Sequence, residues 1–183
     1  MENLIPAENS LNNAEHADWT ELILSETEFP ASFISSSPEE TFFLGTQAAK
    51  FLGKGSVIAL KGALGAGKTC LAKGIARGLG IEEELTSPTY TIVSEYEYIN
   101  GYGETIPVYH IDAYRLDGDD EFTSMGGEEI VFGKGISLIE WSERIPSFIP
   151  PEALKMDIKI VKDDKRLIRI YKSEFPPSLG IKK

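Results

Sequence analysis

Ser56-Val57-Ile58-Ala59-Leu60-Lys61-Gly62-Ala63-Leu64-Gly65-Ala66-Gly67-Lys68-Thr69 is the stretch on which the fold turns. Ser56–Leu60 is a short apolar run between glycines and reads as a buried strand. Gly62–Thr69 then matches G-x-x-x-x-G-K-[ST] without a gap. From Lys68 onward Leu71, Ile75 and Leu79 recur at i, i+4 and i+8, and Gly80 supplies a C-terminal stop, so a helix follows. Glycines let the backbone wrap an anion with its N–H groups pointing inward, and the helix adds its positive N-terminal end. Strand, glycine loop and helix in this order form a phosphate cradle, in which Lys68 reaches the β- and γ-phosphates and the Thr69 hydroxyl is a Mg²⁺ ligand.

Working outward, Ser37-Pro38-Glu39-Glu40 begins a helix with Ser at N-cap, Pro at N1 and Glu at N3. That helix runs through Phe43, Leu44, Ala48 and Phe51 and stops near Gly53. Tyr90–Tyr98 reads as a strand, followed by a turn at Asn100-Gly101. Ile106–Ile111 and Ile136–Ile139 are further strands ending at Asp112 and Glu140. Lys155–Lys162 and Arg166–Tyr171 alternate apolar and polar residues about Asp163-Asp164, a terminal hairpin. Residues 1–17 read as a flexible tail, and Trp19–Ser25 as a short strand or an amphipathic docking segment. The expected fold is α/β and P-loop NTPase-like: a mostly parallel central sheet flanked by helices, with antiparallel additions and a C-terminal hairpin. Residues 1–34 form a partly flexible N-terminal extension, 35–175 the ATPase domain and 176–183 a C-terminal tail.

Ligands on such sheets sit at the carboxyl ends of the strands. The loop after Leu60, Asp112 and Glu140 all fall there. A P-loop needs a strand-end carboxylate to hold Mg²⁺ or its waters, and these two acids are the candidates. Asp117, Asp119, Asp120 and Glu121 lack a preceding apolar run and read as a solvated loop. His110 reads as a packed, hydrogen-bonded residue and Trp141 as a packing anchor beside the site. Arg115 either neutralises the γ-phosphate or pairs with a carboxylate. Cys70 reads as a small residue packed at the helix start rather than a nucleophile.

Composition narrows the partners. Asp plus Glu outnumber Lys plus Arg by 29 to 18 in 183 residues, a net charge of −11. Phosphate contacts supply most non-specific affinity for nucleic acid, so tight direct binding of tRNA or DNA by the chain alone is not expected. The acidity suits solubility or a basic protein partner. No run approaches the length of a membrane span, and no targeting pattern is evident in the first thirty residues. A single cysteine, Cys70, fits a reducing cytoplasm. A guanine-specific Asn-Lys-x-Asp is missing, and five scattered arginines argue against the arginine-rich lid of a nucleotide kinase.

Glu39-Glu40-Thr41, Gly62–Thr69, Thr86-Ser87-Pro88-Thr89-Tyr90, His110-Ile111-Asp112-Ala113-Tyr114-Arg115-Leu116 and Leu138-Ile139-Glu140-Trp141-Ser142-Glu143 follow one another in this order. Over about residues 35–172 this pattern resembles the TsaE (formerly YjeE) family, the bacterial P-loop ATPases of tRNA threonylcarbamoyladenosine synthesis. The resemblance implies a Mg²⁺-dependent ATPase, slow alone and stimulated by partners. It would assist a complex that modifies the adenosine beside the tRNA anticodon without itself being the transferase. The implied partners are a TsaD-like protein carrying the transferase site and a TsaB-like protein that pairs with it. By the same resemblance Thr69 and Glu140 are metal ligands, and Lys68, Asp112 and Glu140 are catalytic. Thr86, Ser87, Pro88 and Thr89 form a switch loop. The nucleotide-binding set is Gly62, Leu64, Gly65, Ala66, Gly67, Lys68, Thr69 and Cys70, with Thr41 and Arg166 near base and ribose.

Two departures stand out. Ala63 occupies a position where the family usually has an acid, and residues 1–34 have no counterpart. The alternatives are a nucleotide-dependent binding module with negligible hydrolysis and, third, a small-molecule kinase.

Overall fold

The computed structural model describes residues 31–88, 91–162 and 165–172. Seven strands form one sheet in the order β1-β7-β6-β2-β5-β4-β3. They are β1 (Ala31–Ser35), β2 (Val57–Gly62), β3 (Val93–Ile99), β4 (Thr105–Asp112), β5 (Ile136–Glu140), β6 (Leu154–Ile160) and β7 (Arg166–Tyr171). The middle four, β6-β2-β5-β4, run parallel. The outer pairs are antiparallel, including the C-terminal β6–β7 hairpin. This is the expected α/β architecture.

Parallel strands need both faces covered, and strand residues alternate between faces. On one face Ile58, Leu60, Leu138 and Met156 pack with Leu44, Leu71 and Ile75 from α1 (Pro38–Ala48) and α2 (Lys68–Leu79). On the other, Val57, Ile111 and Ile139 pack with Leu116, Phe122, Val131 and Phe148. β5 has both faces covered and is buried along its whole length.

The helix starts follow their sequence signals. Ser37 caps α1, its Oγ accepting from Glu40 N at 3.2 Å, while Glu40 Oε2 accepts from Ser36 N at 2.6 Å. α1 continues as a 3₁₀ turn over Ala49–Phe51. Helix α2 ends on Gly80 in the left-handed region, φ 91°. The two helices meet backbone to backbone, for a Cβ on Gly74 would stand 2.0 Å from the carbonyl oxygen of Phe42.

Two readings need correction. Residues 31–34, assigned to the extension, lie in edge strand β1, which pairs with β7. Asp117–Glu121 is not a loop throughout: α3 (Asp119–Ser124) begins in it and buries Phe122, and Asp119 accepts from Ser147 Oγ at 2.7 Å. α4 (Gly127–Val131) adds a second short helix on the same face. The tail 1–17, Trp19–Ser25, Thr89, Tyr90, Asp163-Asp164 and 176–183 lie outside the described residues.

Candidate active site

β2 delivers the chain into Ala63–Gly67, and Gly65 and Gly67 turn it through left-handed conformations at φ 74° and 110°. Side chains other than glycine are strained there, so these two positions shape the loop. Leu64 stands at its tip, 76 % exposed. Lys68, only 4 % exposed, folds back on the loop and donates to Gly62 O at 2.8 Å and Ala63 O at 3.0 Å. Its ammonium also lies 3.7 Å from the centroid of the Trp141 ring. Burial lowers the Lys68 pKa, and the negative charges of Glu140, Glu143 and Asp112 oppose that shift.

Trp141 reaches this position because its backbone is left-handed, φ 57°, immediately after β5 ends. A bulky residue there is a backbone outlier held by its surroundings. Its ring packs on Tyr114 at 4.8 Å between centroids, with Arg144 5.8 Å from the Tyr114 ring. The reading as a packing anchor therefore understates Trp141, which is also the seat of the Lys68 ammonium.

The two strand-end acids stand side by side, since Asp112 on β4 is in register with Glu140 on β5. Glu140 Oε2 accepts from Thr69 Oγ1 at 2.9 Å, and Oε1 lies 2.8 Å from His110 Nε2. Asp112 Oδ2 accepts from Ser87 Oγ at 3.0 Å and Oδ1 from Tyr114 N at 3.1 Å. The segment between α2 and β3 is thus tied to Asp112 by Ser87. It is tied a second time by Ile92, whose carbonyl accepts from Asp112 N at 2.9 Å and whose own N–H donates to Pro88 O at 2.7 Å.

Leu64, Gly65, Gly67, Lys68, Thr69, Cys70, Ser87, Asp112, Tyr114, Glu140 and Trp141 line one cleft of about 330 Å³. That size falls within the range of small-ligand sites. Most residues expected in the site converge here, and Tyr114 joins them. Gly62 and Ala66 shape the loop from behind. Thr41 does not face the cleft: its hydroxyl lies 2.7 Å from Ser35 Oγ, and its methyl lies 3.6 Å from the place of a Cβ on Gly67. Cys70 donates to Pro38 O at 3.2 Å. Burial raises its pKa, as does Glu39, against Lys73 and Arg166, which is the behaviour of a packed thiol. Arg166 opens β7 opposite Ser35. Arg115 is exposed at the end of the turn Ala113–Arg115.

The donor set is hard oxygen, a hydroxyl and a carboxylate. Among the described residues no group of three or more His, Cys, Asp or Glu side chains could hold a metal ion by itself. Mg²⁺ is bound by one or two protein oxygens together with phosphates and waters, so the residues present fit that ion.

The family model described as "Threonylcarbamoyl adenosine biosynthesis protein TsaE" matches residues 35–168. The chain belongs to the TsaE family. It is 41 % identical over 137 residues to the tRNA threonylcarbamoyladenosine biosynthesis protein TsaE of Treponema pallidum, covering 75 % of this chain and 97 % of that one. To the Bacillus subtilis TsaE it is 42 % identical over 132 residues, 72 % of this chain and 79 % of the relative. The crystal structure of Bacillus subtilis YdiB superposes with a TM-score of 0.61 at 37 % identity, covering 80 % of this chain and 87 % of that one. The TsaE match begins within β1, at Ser35, and ends within β7. Among the described residues no helix is long and apolar enough to cross a membrane.

Proposed function

We propose that this TsaE-family chain binds ATP with Mg²⁺ in the cleft and hydrolyses it. In this reading it assists TsaD-like and TsaB-like partners in forming threonylcarbamoyladenosine on tRNA, in the cytoplasm. The observation that carries the reading is the Thr69–Glu140 hydrogen bond of 2.9 Å beside Asp112 and the glycine loop. It brings together, from α2 and β5, the two oxygens a P-loop site needs for its metal.

The chain's own groups then have distinct tasks. Lys68 exchanges the carbonyls of Gly62 and Ala63 for phosphate oxygens, which a charged donor binds more strongly. Loop N–H groups and the start of α2 stabilise the phosphates. Thr69 and Glu140 would hold Mg²⁺, which when bound draws charge from the phosphates and lowers the barrier to displacement. Asp112 orients the attacking water, and Ser87 holds that carboxylate until the γ-phosphate competes for the hydroxyl.

A second reading, a nucleotide-dependent binding module, draws on Ala63, which contributes no acid at the loop mouth. Steady-state ATP hydrolysis by the chain alone, and then with its TsaD-like and TsaB-like partners, separates the two. Stimulation by the partners supports the coupled ATPase. Nucleotide binding with no turnover in either condition overturns it in favour of the binding module.

A further inference from the structure

His110 is completely buried on β4, two residues before Asp112 and on the same face of the sheet. In register it faces Leu138 on β5, so it reaches Glu140 diagonally, Nε2 to Oε1, at 2.8 Å. Nδ1 is buried too and has no hydrogen-bond partner among the described residues. These two facts fix the ring's role. A hydrogen on Nδ1 would leave a buried donor unmet and turn a bare Nε2 lone pair onto a carboxylate oxygen. A hydrogen on Nε2 satisfies Glu140 and leaves only an acceptor orphaned. The other carboxylate oxygen is taken by Thr69. Glu140 is therefore gripped at both oxygens, from β4 and from α2, and cannot turn about its last torsion without breaking one bond.

We propose that His110 is the positioning residue of the Glu140 carboxylate, donating through Nε2–H so that Oε2 stays aimed at Thr69 and the divalent-cation position between them. The proposal rests on the reading of Glu140 as a metal-holding residue. A buried, unpartnered Nδ1 is the cost of this arrangement, and it explains why a histidine occupies an interior strand position otherwise suited to an apolar side chain. An imidazole suits the task because only two torsions orient it, and His110 is completely buried. Partners of this kind set ligand orientation, and their loss typically weakens metal binding about 10–100-fold.

Two measurements test the assignment. The chain has two histidines, so ¹⁵N-labelled imidazoles give a simple two-bond ¹H–¹⁵N spectrum, and His16→Asn leaves His110 alone. The Nε2–H tautomer is expected in the full chain, and the Nδ1–H tautomer would overturn the proposal whatever any variant does. Next, Mn²⁺ binding in the presence of a non-hydrolysable ATP analogue is read by electron paramagnetic resonance. His110→Gln places an amide N–H near the Nε2 position, whereas His110→Asn places it near Nδ1, out of reach of Glu140. Gln is expected to hold Mn²⁺ within about threefold of the unaltered chain and Asn to lose about 10–100-fold. Equal loss in both, or in neither, means that His110 only fills space. If the Asn variant does not fold, loss of Mn²⁺ by a folded Gln variant is still sufficient to overturn the idea. An unaltered chain that binds no Mn²⁺ with nucleotide defeats the metal site itself, and the two failures are thereby distinct.

Discussion

The Lys68 ammonium sits 3.7 Å from the centre of the Trp141 ring while bonded to two carbonyls of its own loop. Nucleotide phosphates bound as proposed would compete for that ammonium and draw it away from the indole. ATP with Mg²⁺ is expected to change Trp141 emission. Trp19→Phe leaves Trp141 as the single tryptophan, and Lys68→Met removes the nucleotide-dependent change. An unaltered fluorescence titration in Lys68→Met would contradict this account.

Lys68 is also a stability liability. Its folded pKa is lowered, chiefly by burial, so the unfolded chain binds the proton more tightly. The protonated form therefore destabilises the fold at neutral pH, and the penalty fades as pH rises toward the ordinary lysine value of 10.5. Lys68→Met is expected to melt at or above the temperature of the unaltered chain at pH 7. The gap should close as pH climbs, while ATP turnover is lost by at least about 10²-fold at every pH.

The two acids should separate stability from chemistry. Glu140→Ala strands Thr69 and the buried His110, at a cost of roughly 2–4 kcal/mol, together with loss of turnover. Asp112→Asn keeps an oxygen for Tyr114 N and an amide for Ser87 Oγ, so its stability should change by less than about 1 kcal/mol. Turnover should nonetheless fall by about 10²-fold or more. Urea titrations beside steady-state rates would reveal whether the two effects divide this way.

Helix contact supplies a purely structural prediction. Gly74→Ala drives a Cβ to 2.0 Å from Phe42 O, and backbone must move to relieve it. A loss of about 3 kcal/mol is expected. Gly53→Ala meets nothing within 4 Å and serves as the control, expected within about 0.5 kcal/mol. Thermal melts of the two variants compare the effects directly.

What the sequence discloses depends on how local the signal is. Strand, loop and helix from Val57 to Leu79 announce themselves, because glycine spacing and apolar periodicity are read within a few residues. β1 does not: Ala31–Ser35 is five residues long, and its burial comes from pairing with β7 far along the chain. α3 hides in a run of acids because Phe122 is its only buried residue, too few for a period. In the site, Asp112 and Glu140 are legible as residues that end apolar runs. The bond from His110 to Glu140 depends on β4–β5 register, which no local pattern carries. Trp141's seat over Lys68 depends on one left-handed backbone angle, again invisible in residue type.

The glycine contact between α1 and α2 has a mechanical consequence. With Gly74 against the Phe42 carbonyl, the helix backbones touch there with no side chain between them. A side chain at Gly45 or Gly74 would wedge the two backbones apart at this contact. On its other side α1 is fastened to β1, at the sheet's border, by the Thr41–Ser35 hydroxyl pair. The helices thus meet backbone against backbone, and the contact leaves Gly45 and Gly74 no room for a larger residue.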